Sequence, residues 1–234
     1  FKRLCGALEL SAKNAMMVSS CCACAGIIIG VISLTGIGYK FINVITALAG
    51  SNLLLLMSML MVTCIILGMG VPTAPAYIIV ATLGAPALMK AGVPIIAAHM
   101  FVYFYAILSV ITPPVCLAAF AGAAIAETNA MKTGVTAMKL GIVAFIIPFM
   151  FVFEPALLMQ GSTTEIVTAF ASALVGVIGV ASGMQNWLLV RCRLWERALL
   201  LASGLMLIFP GLITDTIGLS SLLIVLFAQR LRRS

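Results

Sequence analysis

The stretch between Lys40 and Lys90 contains no charged residue, and this constrains the fold more than any other feature of the sequence. A helix needs about 20 apolar residues to cross a bilayer core of about 30 Å. The stretch is therefore long enough for several crossings, or for a pair of helices that enters and leaves the membrane on the same side. The whole chain is 64% hydrophobic and 8% charged, whereas soluble domains carry about 25% charged residues. We therefore predict an all-α, polytopic membrane protein.

Two interruptions break the apolar pattern. The first, GMGVPT, separates two apolar arms of about 15 residues each, which are too short to cross the membrane comfortably. This favours a re-entrant helical hairpin over about residues 53–89. The second interruption is TPP at Thr112–Pro114, where proline removes a backbone donor and disfavours helix in the residue before it. It predicts a broken helix over about residues 94–126.

The rest of the chain divides into three predicted parts. Residues 1–14 alternate apolar and charged side chains and are typical of an amphipathic helix at the membrane surface. Residues 15–161 are predicted to form a transport unit that contains the hairpin, the broken helix and a span over about 140–159. Residues 162–234 are predicted to be C-terminal membrane helices.

The end of the chain has a third interruption, PGLITD. The apolar pieces around it, 198–209 and 217–228, are short, which favours a second re-entrant pair or helices at the interface. We expect Asp215 to cap the second piece.

The net charge of +7 comes from short basic clusters at segment ends, which is the pattern of a topology signal. With the N-terminus in the cytoplasm and the hairpin entering from the periplasmic side, every cluster falls in the cytoplasm. A nucleic-acid partner is not expected, because no continuous phosphate-binding face is formed. The clusters are Lys2/Arg3/Lys13, Lys132/Lys139, Arg191/Arg193/Arg197 and Arg230/Arg232/Arg233.

The two interruptions before residue 115 are the candidate functional site. Irregular backbone is tolerated at membrane depth only where protein or a water-filled cavity satisfies it, and broken helices aim free carbonyls and helix ends at ion and substrate sites. No carboxylate lies in this region, so a cation would depend on backbone and hydroxyl oxygens, the ligands of a hard cation such as Na⁺. The alternative is that these residues only kink helices or allow close packing. The candidate residues are Gly68, Gly70, Pro72, Thr73, Thr112, Pro113 and Pro114, with Thr35 and Gly36 as additional candidates.

Enzymatic chemistry is not expected. The chain has one histidine, His99, and no acid within the apolar helices near it, so no nucleophile–base pair or metal cluster can be assembled from its sequence neighbourhood. His99 is either a proton relay or an interfacial residue that is hydrogen-bonded to the backbone. No cofactor is predicted. A non-transporting membrane scaffold or assembly subunit stays open as the alternative function.

A family resemblance covers nearly the whole chain and is strongest from Gly68 to Gly161. The segments LGMGVPTAPAYIIVATLGAPAL, GVPIIAAHMFVYFYAILSVITPPVCLAAFAGAAIA and MKTGVTAMKLGIVAFIIPFMFVFEPALLMQG closely resemble the large membrane subunit of tripartite ATP-independent periplasmic (TRAP) transporters. The chain most resembles the fused permease of the TAXI branch of this family.

The resemblance implies a symporter, in the bacterial inner membrane, that is driven by a sodium or proton gradient. A periplasmic solute-binding protein would deliver a small organic acid, and an inverted-repeat fold would move as an elevator. Gly68–Thr73 would be the second repeat's hairpin tip and Thr112–Pro114 its broken helix. Because the sequence has one such unit where the family has two, we expect it to be the C-terminal part of a permease. The other repeat and the small-subunit helices would be its partners.

Overall fold

The computed structural model describes residues 2–208 and 212–233, and its regular secondary structure is helical, which confirms the predicted all-α class. The chain separates into two compact units, the first ending at Gly134 and the second beginning at Val135. Within the described residues, Thr163–Gln185 and Thr214–Arg232 are long and apolar enough to cross a bilayer. These features agree with a polytopic membrane protein.

The first unit consists of α1 to α6 and the start of α7. Their bounds are α1 Lys2–Thr35, α2 Ile37–Ala49, α3 Leu53–Gly68, α4 Thr73–Lys90, α5 Ile95–Leu108, α6 Leu117–Ile125 and α7 Ala130–Leu140. One difference from the sequence prediction is that α1 runs without a break through residue 15. The change from mixed to apolar sequence there does not end the helix, because no proline or glycine lies near that point. The helix ends before Gly36, which adopts a left-handed backbone with φ 64°.

The predicted hairpin arms correspond to α3 and α4, which pack against each other. Gly50 ends α2 with a φ of 58°, and the side chain of Asn52 accepts a hydrogen bond of 3.1 Å from the backbone N–H of Leu55. Ser51 and Asn52 are both residue types that can cap a helix, and the structure uses Asn52. This cap sets the start of α3, sixteen residues before its end at the tip.

We expect Asn52→Ala to lower the free energy of unfolding by about 1 kcal/mol, because the Leu55 N–H loses its acceptor. Ser51→Ala is the matched control. It is expected to change stability by less than about 0.5 kcal/mol, since Ser51 is exposed and does not cap α3. Reversible unfolding in mixed detergent micelles, followed by circular dichroism, measures both. Equal losses in the two variants would contradict the assigned cap.

The core of the first unit lies where the hairpin helices pack on α5. Met57 and Leu60 of α3, Leu88 of α4, and Phe101 and Tyr105 of α5 are fully buried there. The rings of Phe101 and Tyr105 meet edge to face with centroids 4.8 Å apart. This packing holds the broken helix against the hairpin.

The predicted broken helix is present as α5, a short 3₁₀ turn at Ser109–Ile111, and α6. The backbone between Thr112 and Cys116 is not helical, and the Pro113–Pro114 peptide bond is cis. The break therefore lies where the two prolines remove backbone donors.

The second unit begins within α7 and continues through α8 Ile147–Phe153, α9 Thr163–Gln185, α10 Leu194–Ile208 and α11 Leu212–Arg233. The span predicted over 140–159 is not one helix. It is divided into a 3₁₀ turn at Ile142–Phe145, the short α8 and a second 3₁₀ turn at Pro155–Leu158. Ala130–Leu140 and Ile142–Phe153 are bent by 63°. Pro148 and Pro155 explain this division, because neither supplies a backbone donor.

The interface between α9 and α10 is made by small residues. A Cβ added at Gly176 would lie 2.9 Å from the carbonyl oxygen of Gly204, and one added at Gly204 would lie 2.6 Å from the backbone nitrogen of Val180. Such close backbone approach is the usual way in which membrane helices pack.

Two expectations for the end of the chain are wrong. The last helix, α11, has 22 residues rather than a short piece at 217–228. Asp215 lies in the first turn of α11, which begins at Leu212, and therefore does not cap it. Its Oδ1 instead accepts a hydrogen bond of 2.8 Å from the Ser172 hydroxyl on α9. Pro210 and Gly211 of the predicted interruption lie outside the described residues.

Candidate functional site

The hairpin tip is a four-residue connection between α3 and α4. Gly70 adopts a left-handed backbone with φ 79°, which glycine accepts without the cost that a side chain adds. The N–H of Val71 donates to the carbonyl of Gly68 at 3.4 Å, and Pro72 leads into α4 with extended backbone. The sequence GMGVPT therefore forms a tight reversal that ends one helix and starts the next.

The break in the second helix is also set by local sequence. Thr112 has extended backbone, as expected for a residue before proline, and its N–H donates to the carbonyl of Ser109 at 3.3 Å. Pro113 and Pro114 have no N–H, so they cannot donate to the carbonyls of the preceding turn. The helix resumes after Cys116, whose carbonyl accepts the N–H of Phe120 at 3.0 Å.

The hairpin tip and the break are in direct contact. A Cβ added at Gly68 would lie 2.7 Å from Ser109 Oγ, and one added at Gly70 would lie 3.5 Å from Val115 Cγ1. The first distance is too short for a real Cβ, so only glycine fits at position 68 without a shift of Ser109. The two interruptions, about forty residues apart in sequence, therefore lie against each other.

The two threonines of the site differ in their surroundings. Thr112 is 7% exposed, and its hydroxyl donates to the carbonyl of Leu108 at 2.6 Å. Because that proton is used, the hydroxyl oxygen is available as an acceptor or cation ligand. Thr73 is exposed and is the first residue of α4. Pro72 gives this helix no side-chain cap, so the first-turn N–H groups of α4 have no capping side chain at the tip.

These groups define the chemistry that the site can support. Carbonyl oxygens at the ends of α3 and of the Ser109–Ile111 turn, together with the Thr112 hydroxyl, are oxygen ligands suited to a hard cation. The N-terminus of α4 carries partial positive charge and suits an anion. The site therefore combines oxygen atoms of the kind that hard cations prefer with a helix N-terminus of the kind that anions prefer.

The predicted residues outside this contact have other surroundings. Thr35 and Gly36 lie at the junction of α1 and α2, where the Thr35 hydroxyl donates to the carbonyl of Val31 at 2.6 Å. Their part in the site remains a prediction.

Ser109 and Val115 are the residues that the sequence reasoning missed. Ser109 is 1% exposed, and its hydroxyl donates to the carbonyl of Ala106 at 2.6 Å. It precedes Thr112 by three positions, so the two lie one helical turn apart. That spacing in SVITPP is the signal that could have identified it.

His99 contacts a tyrosine side chain. Its Nδ1 lies 2.9 Å from the hydroxyl oxygen of Tyr77, and the ring of Tyr77 meets that of Tyr103 edge to face at 5.5 Å. This link joins α4 to α5 and gives Nδ1 a side-chain partner, whereas one of the two alternatives expected a backbone partner. The proton-relay alternative stays a prediction.

Comparison with known proteins gives two family matches. The family described as tripartite ATP-independent periplasmic transporter, DctM component, matches residues 1–166. The family described as a domain of unknown function, DUF3394, matches residues 166–221. No curated protein and no solved structure matches the chain. The tip and the break both lie within the first match, whereas α9 to α11 fall mainly within the second.

Proposed function

We propose that this chain, which belongs to the DctM component family of TRAP transporters, is the part of a permease that contributes one coupling-ion site and part of the solute site. The transported solute would be a small organic acid, a C4-dicarboxylate or a related carboxylate, and the coupling ion would be Na⁺. The observation that carries this proposal is the contact between the hairpin tip and the broken helix through Gly68 and Ser109.

The sodium ion would be held by neutral oxygens. The proposed ligands are carbonyl oxygens near Gly68, and the hydroxyl and backbone oxygens of Thr73 and Thr112. Gly70, Pro72, Pro113 and Pro114 would act by keeping the backbone out of helix, so that these oxygens are not used within a helix. A site without a carboxylate favours Na⁺ over H⁺, because it has no acidic group to protonate.

The organic acid would bind beside the ion. A carboxylate fits the N-terminus of α4, where the first-turn N–H groups and the helix dipole favour negative charge. Bound Na⁺ would add to this attraction, so that ion and solute bind together. This coupling is the physical basis of symport.

The remaining parts of the transporter would come from its partners. We propose that residues 15–161 form the second transport repeat of a TAXI-type permease in the bacterial inner membrane. The other repeat would supply the rest of the site, and the small-subunit helices would support an elevator motion. A periplasmic solute-binding protein would deliver the acid, and the bilayer would surround the multi-pass chain.

Reconstitution of the complete permease in proteoliposomes tests this function. With the solute-binding protein outside, we expect uptake of a radiolabelled organic acid when the outside buffer contains Na⁺. We expect no uptake when choline replaces Na⁺, because choline is too large for a site of carbonyl and hydroxyl oxygens.

Two results would contradict the proposal. Uptake driven by a pH gradient in sodium-free buffer would contradict sodium coupling. Absence of uptake under every gradient, from a folded complex that still captures the binding protein, would favour the scaffold function instead.

A further inference from the structure

The loop between α9 and α10, residues 186–193, is held in place by a buried glutamine. Gln229 of α11 is fully buried, and its Oε1 accepts hydrogen bonds from the backbone N–H groups of Leu189 at 3.1 Å and Val190 at 3.3 Å. The loop is therefore anchored through its backbone. Because it is already ordered, its outward side chains would bind a partner at a small cost in conformational entropy.

The one acidic side chain of this loop region, Glu196, is bound by groups within the second unit. Glu196 is 1% exposed, and its Oε2 accepts the backbone N–H of Arg193 at 2.8 Å and the side-chain amide of Gln229 at 2.9 Å. Arg232 forms a salt bridge of 3.0 Å to Oε1 of the same carboxylate. Glu196 is the only acid between Asn186 and Arg197, so the charged side chains at the outer surface of this segment are all arginines.

The same network fixes the outward residues. The carbonyl of Arg191 accepts a hydrogen bond of 2.6 Å from Arg232, and the N–H of Arg193 is held by Glu196, while both arginine side chains are exposed. Beside them, the side chains of Trp187, Leu194 and Trp195 are 60%, 86% and 45% exposed. We name these five residues the arginine–tryptophan surface.

We propose that the arginine–tryptophan surface binds the headgroups of anionic phospholipids in the surrounding bilayer. Arg191 and Arg193 would pair with lipid phosphate, because guanidinium groups match phosphate with two parallel hydrogen bonds. The tryptophans and Leu194 would enter the headgroup region, where amphipathic rings are favoured. A topology signal needs only positive charge on one side of the membrane, whereas here a buried network holds two arginines beside both tryptophans of the chain.

Fluorescence quenching of the full chain in lipid nanodiscs tests the proposal. Because the two tryptophans of the chain both lie on this surface, their emission reports lipid contact there. At equal mole fraction, brominated phosphatidylglycerol is expected to quench more strongly than brominated phosphatidylcholine. Raising the salt concentration is expected to reduce this preference, because salt screens exposed charges.

Variants locate the preference. R191Q/R193Q is expected to lose about fivefold in apparent affinity for phosphatidylglycerol for each arginine removed. K132Q/K139Q, at another basic cluster, is the matched control and should retain the preference. Because both arginine side chains are exposed, R191Q/R193Q should keep the circular dichroism and gel-filtration behaviour of the wild type.

Several outcomes would overturn the proposal. They are equal quenching of the wild type by the two lipids, a preference that salt leaves unchanged, and an equal loss of affinity in the lysine control. The salt series uses the wild-type chain, so it tests the proposed binding of anionic lipid even if R191Q/R193Q fails to fold.

Discussion

Replacing Gly68 with alanine is expected to reduce uptake by more than tenfold. The added Cβ would lie 2.7 Å from Ser109 Oγ and 3.1 Å from Ser109 Cβ, which no folded protein accommodates without a shift. Ser109 cannot easily move, because it is buried and its hydroxyl is bonded to the carbonyl of Ala106. The hairpin tip would have to move away from the break and carry its carbonyl oxygens out of the proposed ion site. Uptake by the reconstituted permease, at matched protein content, measures the effect.

Two further variants separate this contact from a general effect of alanine. Gly122→Ala adds a Cβ to α6 in open space, so we expect uptake close to that of the wild type. G68A/S109G removes both atoms that clash, and the nearest remaining neighbour is the carbonyl oxygen of Ala106 at 3.5 Å, an ordinary contact. Partial recovery of uptake in this double variant is therefore expected. Full activity of G68A alone would show that the tip and the break need not touch.

The helix bounds near the site could be predicted because they depend on local chemistry. The glycines and prolines of GMGVPT and TPP interrupt the helices through the local backbone, without help from tertiary packing. The Asn52 cap is also local, because its donor is three residues away. The contact of Gly68 with Ser109 could not be predicted in the same way. This contact lies between residues far apart in sequence, and it depends on how α3 packs against α5. The helices are apolar on all sides, so their sequence does not show which side is buried.

The errors in the sequence analysis have physical causes as well. The change of polarity at residue 15 predicts a boundary in α1, yet it removes no backbone hydrogen bond and the helix continues. Over 140–159 the apolar run predicts one helix, whereas Pro148 and Pro155 interrupt it. Asp215 was expected at a helix start, but its partner Ser172 belongs to a distant helix. At residues 15 and 140–159, backbone donors are thus a better guide than hydropathy, although α4 continues through Pro86.

Thr112 gives the sharpest test of the proposed sodium site. Thr112→Val keeps the shape of the side chain but removes the hydroxyl oxygen, and we expect the Na⁺ concentration for half-maximal uptake to rise at least tenfold. Hydrogen bonds to charged groups contribute about 1.5–3 kcal/mol, and we expect an oxygen–Na⁺ contact to be of similar strength, which corresponds to about tenfold or more in affinity. Thr112→Ser retains the oxygen and should stay within about threefold of the wild type.

Thr63 supplies the matched control within the same unit. Its hydroxyl also donates to a carbonyl four residues earlier, that of Met59 at 2.9 Å, but it lies within the continuous helix α3. Thr63→Val therefore removes an equivalent hydrogen bond from a place with no broken backbone, and the sodium dependence of uptake should not change. If Thr112→Val and Thr63→Val change the sodium dependence of uptake equally, the effect comes from reduced helix stability and not from a lost sodium ligand. A loss confined to Thr112→Val, with Thr112→Ser active, requires an oxygen at the break, because serine keeps the hydroxyl oxygen that valine lacks.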